Sequence, residues 1–384
     1  MNFEFATATR IIFGSGTLRE AGPIAKALGR HALVVTGRTA RRARPLLAVL
    51  RAAGVRSSTF SIAGEPTTVT VREGVQVARE KRCDVVIGFG GGSALDAAKA
   101  IAALLTNGGD LLDYLEVIGH GKPITAPSAP CITIPTTAGS GAEVTRNAVI
   151  GSPQHRVKVS LRSPLMLPHA AIVDPELTHG LPRRATANSG LDALSQLIEP
   201  FVSVKANPMT DAFCRAGMRL VARSLCRACE TGGDAAARED MALASLFGGL
   251  SLANAGLGAV HGFAGPLGGR FPAPHGAVCA KLLPRVMEMN IRASRERQPV
   301  GETLRRYDEV AQLLAGDPNA TADDGIKWVD RLCEALKIKP LRAYGVKSVH
   351  VSALVERAAA ASSMKGNPIL LSQLELHEVL ERCL

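Results

Sequence analysis

The chain has few aromatic residues and no long apolar run. Aromatics make up 4% of its 384 residues, with one Trp and three Tyr. Proteins that bind single-stranded nucleic acid usually stack bases on several aromatic side chains, so this shortage argues against that class. No apolar run approaches the ~18 residues that a membrane-spanning helix needs. The first residues also lack a basic region followed by an apolar core, so we expect neither a membrane partner nor a secretory signal.

Cysteine is sparse, and charge of one sign is not concentrated. Eight cysteines are spread over the chain, which suits reduced thiols in a cytoplasm better than a disulfide framework. Cys226 and Cys229 have the spacing of a redox or metal pair, but no second such pair accompanies them, and we interpret the spacing as coincidence. The net charge of +11 comes from short scattered clusters. We attribute it to solvated helix faces and to attraction for a phosphorylated cofactor, and expect no nucleic-acid partner.

The most informative stretch is a short apolar strand that leads into a run of glycines. The strand is followed by Gly90, Gly91 and Gly92, and then by Ser93 and Asp96 at the start of an Ala-rich helix. Glycines let a backbone come close to a ligand, and helix-start N–H groups favour an anion. A plain strand-to-helix turn is the alternative, but it needs fewer glycines. We interpret the run, with Ser93 as the helix cap, as a cradle for the pyrophosphate of a dinucleotide.

The order of the predicted elements indicates two domains. In the first half, apolar strands alternate with helical patterns, which favours parallel strands with helical crossovers. Past Pro175 the strand signal fades and long helical patterns take over. We expect a Rossmann-like parallel-sheet dinucleotide domain over residues 1–178 and an all-helical metal- and substrate-binding domain over residues 179–384. The predicted strands are 32–36, 58–62, 84–88, 131–134 and 171–174.

The predicted helical half contains a group of residues typical of a metal site. Asp192 and Gln196 are four residues apart and share one helix face. His261 and His275 lie on either side of a Gly- and Pro-rich stretch that we interpret as a turn. A carboxylate with two imidazoles suits Zn²⁺ or Fe²⁺ with an open position. Single histidines are more often structural, so at this point the sequence leaves both readings open.

Several separate motifs, in order and nearly end to end, resemble the iron-containing (group III) alcohol dehydrogenases. The segments that carry the resemblance are residues 10–14, 90–99, 135–143, 172–177, 190–194, 261, 274–276 and 367–368. The resemblance implies an α/β dinucleotide domain followed by a helical metal domain, the architecture that dehydroquinate synthase shares. It also implies hydride transfer between an alcohol or aldehyde and nicotinamide, in a cleft between the two domains.

The resemblance assigns roles residue by residue. Asp192, His261 and His275 match three of the family's four metal ligands, and His261 and His275 are the expected catalytic residues. The positions that match cofactor-binding residues are Gly90, Gly91, Gly92, Ser93, Asp96, Thr136, Thr137, Ser140 and Lys158. Family members commonly form dimers or larger assemblies, so we expect a homo-oligomer in the cytoplasm.

The chain departs from the family pattern at the fourth ligand. Gln196 stands where a histidine is usual, and an amide oxygen is a weaker donor than imidazole for a transition metal. Either Fe²⁺ or Zn²⁺ is held by Asp192, His261 and His275 with Gln196 or water, or the enzyme works without metal and a histidine donates the proton. We favour metal binding, because the other three groups are present.

Two further departures concern the cofactor and the substrate. Gly37 and Arg38 follow the second strand, where an acidic residue would bind the ribose of NAD and repel a 2′-phosphate. We therefore expect NADP to be accepted as well as NAD. Gly265 stands where many relatives carry another histidine, which leaves room for a bulkier substrate or serves helix packing.

Other functions remain as alternatives. A maleylacetate reductase ranks below a general alcohol dehydrogenase, because its typical cofactor segment lacks the Thr-Thr-Ala-Gly-x-Gly pattern of residues 136–141. A dehydroquinate synthase-like lyase would need a sugar-phosphate site rich in Lys and Arg, and residues 261–275 offer Arg270 alone. A non-catalytic dinucleotide-binding protein is disfavoured by the three ligand-type residues.

Overall fold

The computed structural model describes residues 2–384, which divide into two compact units. The first unit comprises Ala6–Thr137 and Gly141–His179. The second comprises Gly180–Leu384, together with residues 2–5 and the short segment Ala138–Ser140. The sequence did not predict that this short segment belongs with the helices.

The first unit is built around parallel strands. Residues 2–384 contain eight strands: β1 (Ile11–Phe13), β2 (His31–Thr36), β3 (Arg56–Ser61), β4 (Val85–Gly90), β5 (Cys131–Pro135), β6 (Asn147–Ser152), β7 (Val157–Arg162) and β8 (Ala170–Val173). Six of them form one sheet in the order β1-β8-β5-β4-β2-β3, and each neighbouring pair is parallel. The Rossmann-like parallel sheet expected from the sequence is thus confirmed.

Helices cover this sheet on both faces. They are α1 (Ala21–Leu28), α2 (Arg44–Ala52), α3 (Thr68–Glu80), α4 (Gly92–Thr106) and the short α5 (Leu111–Tyr114). Along β2, Ala32 and Val34 pack into one apolar core, whereas Leu33 and Val35 pack into the other. Because successive side chains of a strand point to opposite faces, a strand buried on both faces reads as one continuous apolar run. That is why the sequence predicted a strand at β2.

The strands β6 and β7 form an antiparallel hairpin that the sequence analysis missed. The hairpin is tied to α4 by two side chains. The Asp96 carboxylate accepts the backbone N–H of Val149 at 3.0 Å, and the buried Lys99 ammonium donates to Thr145 Oγ1 at 2.8 Å and to the carbonyl oxygen of Asn147. Since β6 and β7 alternate partly exposed and buried residues, they lack the apolar runs that marked the other strands.

The second unit is helical. Its helices are α6 (Arg183–Val202), α7 (Pro208–Glu230), α8 (Ala235–Ala255), α9 (Ala259–Arg270), α10 (His275–Arg297), α11 (Glu302–Ala315), α12 (Ala322–Ala335), α13 (Val351–Ala359) and α14 (Gln373–Glu381). One large apolar cluster holds them together, and it includes Leu191 and Phe201 of α6 and Phe263 of α9. The expected helical domain is therefore present.

The stretch between the two histidines differs from the prediction. The Gly- and Pro-rich residues were interpreted as a turn, but α9 continues through Pro266 to Arg270 and only residues 271–274 form the turn. Tertiary packing overrides the weak helix propensity here, because Val260, Phe263 and Leu267 are fully buried. Among the described residues, no single helix is long and apolar enough to cross a membrane, and α8 with α9 meets the length and composition test only as a pair bent by 99°.

Candidate dinucleotide cradle and metal centre

The glycine run lies at the junction between β4 and α4. The strand ends at Gly90, and the helix begins at Gly92 with Gly91 in the cap position. The prediction that Ser93 caps the helix is therefore wrong, since Ser93 is already the second helical residue. No side chain in the described part of the chain caps this helix. The N–H groups of Ala94 and Leu95 donate to the carbonyl oxygen of Gly91, which leaves those of Gly92 and Ser93 to an anion.

Close backbone approach explains why glycine is needed here. A Cβ placed on Gly90 would lie 2.7 Å from the Cβ of Ala94, a distance at which one of the two must shift. A Cβ on Gly91 would lie 3.4 Å from Thr137 Oγ1, which is tight but within contact range. The space between the glycine run and Thr137 is therefore narrow, and any residue with a side chain at Gly91 would partly fill it.

The ends of three neighbouring strands meet around this junction. The backbone N–H of Thr136, after β5, donates to the carbonyl oxygen of Gly90 at 2.8 Å. On the other side, the backbone nitrogen of Gly37, after β2, would lie 3.5 Å from a Cβ on Gly90. The structure thus brings together Gly37, Gly90, Gly91 and Thr136 with Thr137 at the carboxyl edge of the sheet, where nucleotides bind in folds of this type.

Three other residues that the sequence assigned to the cofactor have partners of their own. The Arg38 guanidinium donates to the carbonyl oxygen of Ala63 at 3.0 Å. Lys158 on β7 forms a salt bridge with Glu65. The Asp96 carboxylate lies 3.0 Å from Lys99 Nζ, and burial raises its pKa even though this ammonium opposes the shift. These contacts give Asp96 a role in holding the β6–β7 hairpin, whereas its predicted role at the phosphates stays a prediction.

Ser140 belongs to the segment that groups with the helices. A Cβ on the preceding Gly139 would lie 2.6 Å from the Cβ of Ser189 on α6, so the segment packs closely against that helix. The structure therefore does not group Ser140 with the glycine run, Thr136 and Thr137. Its cofactor role stays a prediction.

The candidate metal centre lies in the helical unit, on three helices. Asp192 projects from the middle of α6, His261 from the first turn of α9, and His275 is the first residue of α10. Cys279 lies one turn further along α10. One ligand-type atom from each of these four residues lies within 4.8 Å of the others. The Oδ1 atom of Asp192 is 3.6 Å from Nε2 of both histidines.

Glu199 fixes the orientation of His261. Its Oε2 atom accepts the Nδ1 hydrogen of His261 at 2.5 Å, and its Oε1 atom accepts the backbone N–H of Val260 at 2.7 Å. Glu199 is buried, as is His261. With Nδ1 engaged in this way, Nε2 is the nitrogen that faces Asp192 and Cys279. A carboxylate in this position also makes a histidine a stronger metal ligand.

Gln196 lies on the same face of α6 as Asp192, as the sequence predicted. Its Oε1 atom is buried and has no hydrogen-bond partner among the described residues, and the same holds for Oδ1 of Asp192. A buried oxygen without a partner costs free energy. An electropositive species beside Asp192 would satisfy its Oδ1 atom, whereas Oε1 of Gln196 would lie 3.7 Å from a Cβ on Gly248 of α8.

The charges in the cluster reinforce one another. Burial lowers the pKa of His261, but Cys279, Glu199 and Asp192 together raise it by more than burial lowers it. The pKa of His261 therefore lies well above its usual value. The pKa of His275 rises to about 9, mainly through Cys279 and also through Asp192. Burial would raise the pKa of Asp192, yet the two imidazoles lower it overall. The site therefore collects negative donors that attract protons, and a divalent cation satisfies the same groups.

The donor set fits a transition metal. Oδ1 of Asp192, which has no hydrogen-bond partner among the described residues, faces the Nε2 atoms of His261 and His275. Glu199 lies outside this donor set and orients His261. Zn²⁺ and Fe²⁺ both accept such ligands.

The sequence analysis missed two residues of this site. Cys279 follows His275 by four residues, and Glu199 follows Asp192 by seven, so each pair shares a helix face. This spacing was the available signal. The structure also shows open space at Gly265, one turn after His261 on α9, where a Cβ would meet no atom of residues 2–384 within 4 Å.

Comparisons with known proteins cover both units. Residues 8–175 match the profile of a family described as iron-containing alcohol dehydrogenase, and residues 186–384 match the C-terminal profile of the Fe-containing alcohol dehydrogenase family. The 1,3-propanediol dehydrogenase of Citrobacter freundii is 33% identical, over 99% of this chain and 98% of the relative. Alcohol dehydrogenase 4 of Schizosaccharomyces pombe is 35% identical, over 93% of this chain and 83% of the relative. A crystal structure of 1,3-propanediol oxidoreductase matches with a TM-score of 0.92 at 32% identity and covers all of both chains.

Proposed function

This chain belongs to the iron-containing alcohol dehydrogenase family and is an oxidoreductase of CH–OH groups, and from that premise we propose which residues carry the reaction. It transfers a hydride between an alcohol or its aldehyde and NAD(P), with a metal ion held by Asp192, His261 and His275. The observation that carries this proposal is the approach of both imidazoles to Oδ1 of Asp192, with each Nε2 atom at 3.6 Å.

Each protein group has a distinct task in the reaction. The carboxylate of Asp192 and the Nε2 atoms of His261 and His275 hold the metal, and Glu199 keeps His261 in the orientation that presents Nε2. When bound, a metal ion supplies Lewis-acid stabilisation of the substrate oxygen. The protein thus contributes orientation and electrostatics, whereas the nicotinamide carries the hydride.

The glycine run holds the other reactant. The N–H groups at the start of α4 bind the pyrophosphate of the dinucleotide, and Gly90 and Gly91 keep the approach free of side chains. Thr136 and Thr137 line the same edge of the sheet. Gly37 and Arg38 accept the 2′-phosphate of NADP. Gly37 has no carboxylate that would repel this phosphate, and the Arg38 guanidinium next to it attracts the negative charge.

Substrate size follows from Gly265. The space beside this residue lies one turn from His261, so a bulky alcohol chain fits where a side chain at this position would block it. We therefore propose that longer or branched alcohols and aldehydes are accepted together with small ones.

A panel of aldehydes with NADH and NADPH tests the function, with the protein as purified, after metal removal, and after addition of Fe²⁺ or Zn²⁺. We expect reduction that is lost with the metal and restored by its return. Full turnover without metal would instead support the metal-independent alternative, in which a histidine donates the proton. The panel includes maleylacetate, since preference for that acid would identify the other family activity. Assembly into a homodimer or larger oligomer and a cytoplasmic location stay predictions.

A further inference from the structure

The metal centre has three strong donors and an unsettled fourth. The strong donors are Asp192, His261 and His275. Gln196, which lies on α6 with Asp192, has a neutral amide oxygen, and such an oxygen is a weak donor for a transition metal. The structure offers a stronger candidate in the buried Cys279. Its Sγ atom lies 3.8 Å from Nε2 of His261 and 3.7 Å from Nε2 of His275.

The distances between donor atoms match a tetrahedral metal site. Around zinc, bonds of about 2.0–2.1 Å to nitrogen or oxygen and about 2.3 Å to sulfur place neighbouring O and N donors about 3.3 Å apart, and N and S donors about 3.6 Å apart. The two O–N distances here are both 3.6 Å, and the two N–S distances are 3.7 and 3.8 Å. Four edges of the tetrahedron are therefore already formed to within a few tenths of an ångström.

Other buried cysteines near the same helix behave differently. Cys333 Sγ donates to the carbonyl oxygen of Ala280 at 3.3 Å, and Cys383 Sγ donates to that of Lys281 at 3.5 Å. These are the contacts of a buried thiol that packs against a backbone. Cys279 instead faces two imidazole nitrogens and belongs to the group that includes Asp192.

We propose that the Cys279 thiolate is a ligand of the metal, which makes the site an Asp192–His261–His275–Cys279 centre that prefers Zn²⁺ to Fe²⁺. Thiolate is a soft ligand, and a mixed nitrogen and sulfur set with tetrahedral geometry is typical of zinc. Cys279 thereby replaces the strong donor that Gln196 does not supply. The inference rests on the proposed metal site, but not on the identity of the substrate.

Cobalt substitution tests the ligand directly. Co²⁺ bound to a thiolate gives an intense near-ultraviolet charge-transfer band that oxygen and nitrogen ligands do not give. We expect this band in the wild-type protein loaded with one Co²⁺ per chain, its loss in Cys279→Ser, and its retention in the control Cys333→Ser. Competition with a chromophoric chelator should show Zn²⁺ affinity reduced by about tenfold or more in Cys279→Ser, and unchanged in Cys333→Ser.

Two outcomes overturn the proposal: no thiolate band in wild-type protein that carries Co²⁺, or an undiminished band in Cys279→Ser. Failure to bind any Co²⁺ or Zn²⁺ overturns it as well. If Cys279→Ser does not fold, X-ray absorption of the wild-type zinc protein decides, because it must show one sulfur at about 2.3 Å. These readouts do not depend on turnover. If the protein oxidises alcohols but its metal has only nitrogen and oxygen ligands, the Cys279 proposal is wrong and the proposed function stands. If the protein has a Zn–S bond but does not act on alcohols, only the proposed function is wrong.

Discussion

Glu199 and His261 lie 62 residues apart in sequence and form one of the short buried contacts of the helical unit, with Oε2 at 2.5 Å from Nδ1. The Glu199 carboxylate also accepts the backbone N–H of Val260, the second residue of α9. The same side chain therefore anchors the start of α9 and directs Nε2 of His261 toward Asp192.

Glu199→Gln tests this positioning role. Glutamine preserves the shape but removes the charge that strengthens His261 as a ligand, so we expect metal affinity to fall about 10- to 100-fold. Chelator competition measures the change, and Glu239→Gln, at an exposed position on α8, serves as the control. Rescue of turnover by excess metal would confirm that the residue acts through the metal site. Unchanged affinity in Glu199→Gln would contradict the assignment.

His275→Ala and His261→Ala test the proposed metal ligands. Each should reduce kcat/KM for alcohols by about a hundredfold or more, while most dinucleotide affinity remains. His261→Ala also leaves a buried carboxylate at Glu199 without its partner, which costs stability. His275→Ala is the cleaner variant, since its side chain is 39% exposed.

Metal content, turnover and thermal unfolding are measured together for both histidine variants. His120→Ala, at an exposed histidine in the first unit, is the matched control. Near wild-type rates in both His261→Ala and His275→Ala would show that the reaction takes place elsewhere.

Gly91→Ala tests the phosphate cradle. The new Cβ would lie 3.4 Å from Thr137 Oγ1, so the fold tolerates it, but it enters the space assigned to the pyrophosphate. We expect NAD(P)H affinity to fall about tenfold or more, with little change in the free energy of unfolding. Nucleotide fluorescence titration measures the affinity. Gly108→Ala, where a Cβ would meet nothing within 4 Å, is the control, and equal affinity in both variants would sink the assignment.

Gly37→Asp tests cofactor selection. A side chain at Gly37 has room, since a Cβ there would meet nothing within 4 Å. The new carboxylate should repel a 2′-phosphate and bind ribose hydroxyls, so kcat/KM for NADPH falls about tenfold or more and that for NADH is retained. Gly233→Asp adds the same charge in the other unit and should change neither. A wild-type enzyme that strongly prefers NADH would refute the expectation for NADP.

Glu143→Gln tests a buried acid in the first unit. Burial raises the pKa of Glu143 to about 7, above the ordinary value near 4.5. Between these two pH values the folded state holds a proton that the unfolded state has released. Stability therefore falls as pH rises through this window, by about 3 kcal/mol in total, and levels off above it.

The Gln variant should lack this loss. It should match the wild type at low pH and have the larger free energy of unfolding at about pH 8, measured by chemical denaturation. Glu116→Gln, at an exposed site, should follow the wild type at every pH. A wild-type curve with no fall between about pH 5 and about pH 7 would disprove the assignment to Glu143.

Local patterns explain what could be predicted from the sequence. The face shared by Asp192 and Gln196 follows from the period of a helix, and the junction at Gly90–Gly91 follows from an apolar run that ends in glycines. The helix through Pro266 could not be predicted in this way. Its propensity is poor, and burial of its apolar side against other helices decides its conformation.

The sequence by itself determined the parallel sheet and the helical second half, because the apolar patterns that mark strands and helices depend on neighbours a few positions away. Its assignment of residues to phosphate and metal stays a prediction. Only the tertiary structure decided that Cys279 and Glu199 join Asp192 and the two histidines. Donor atoms less than 4 Å apart require three helices to pack in one arrangement, and that packing is set by apolar contacts spread over the whole unit.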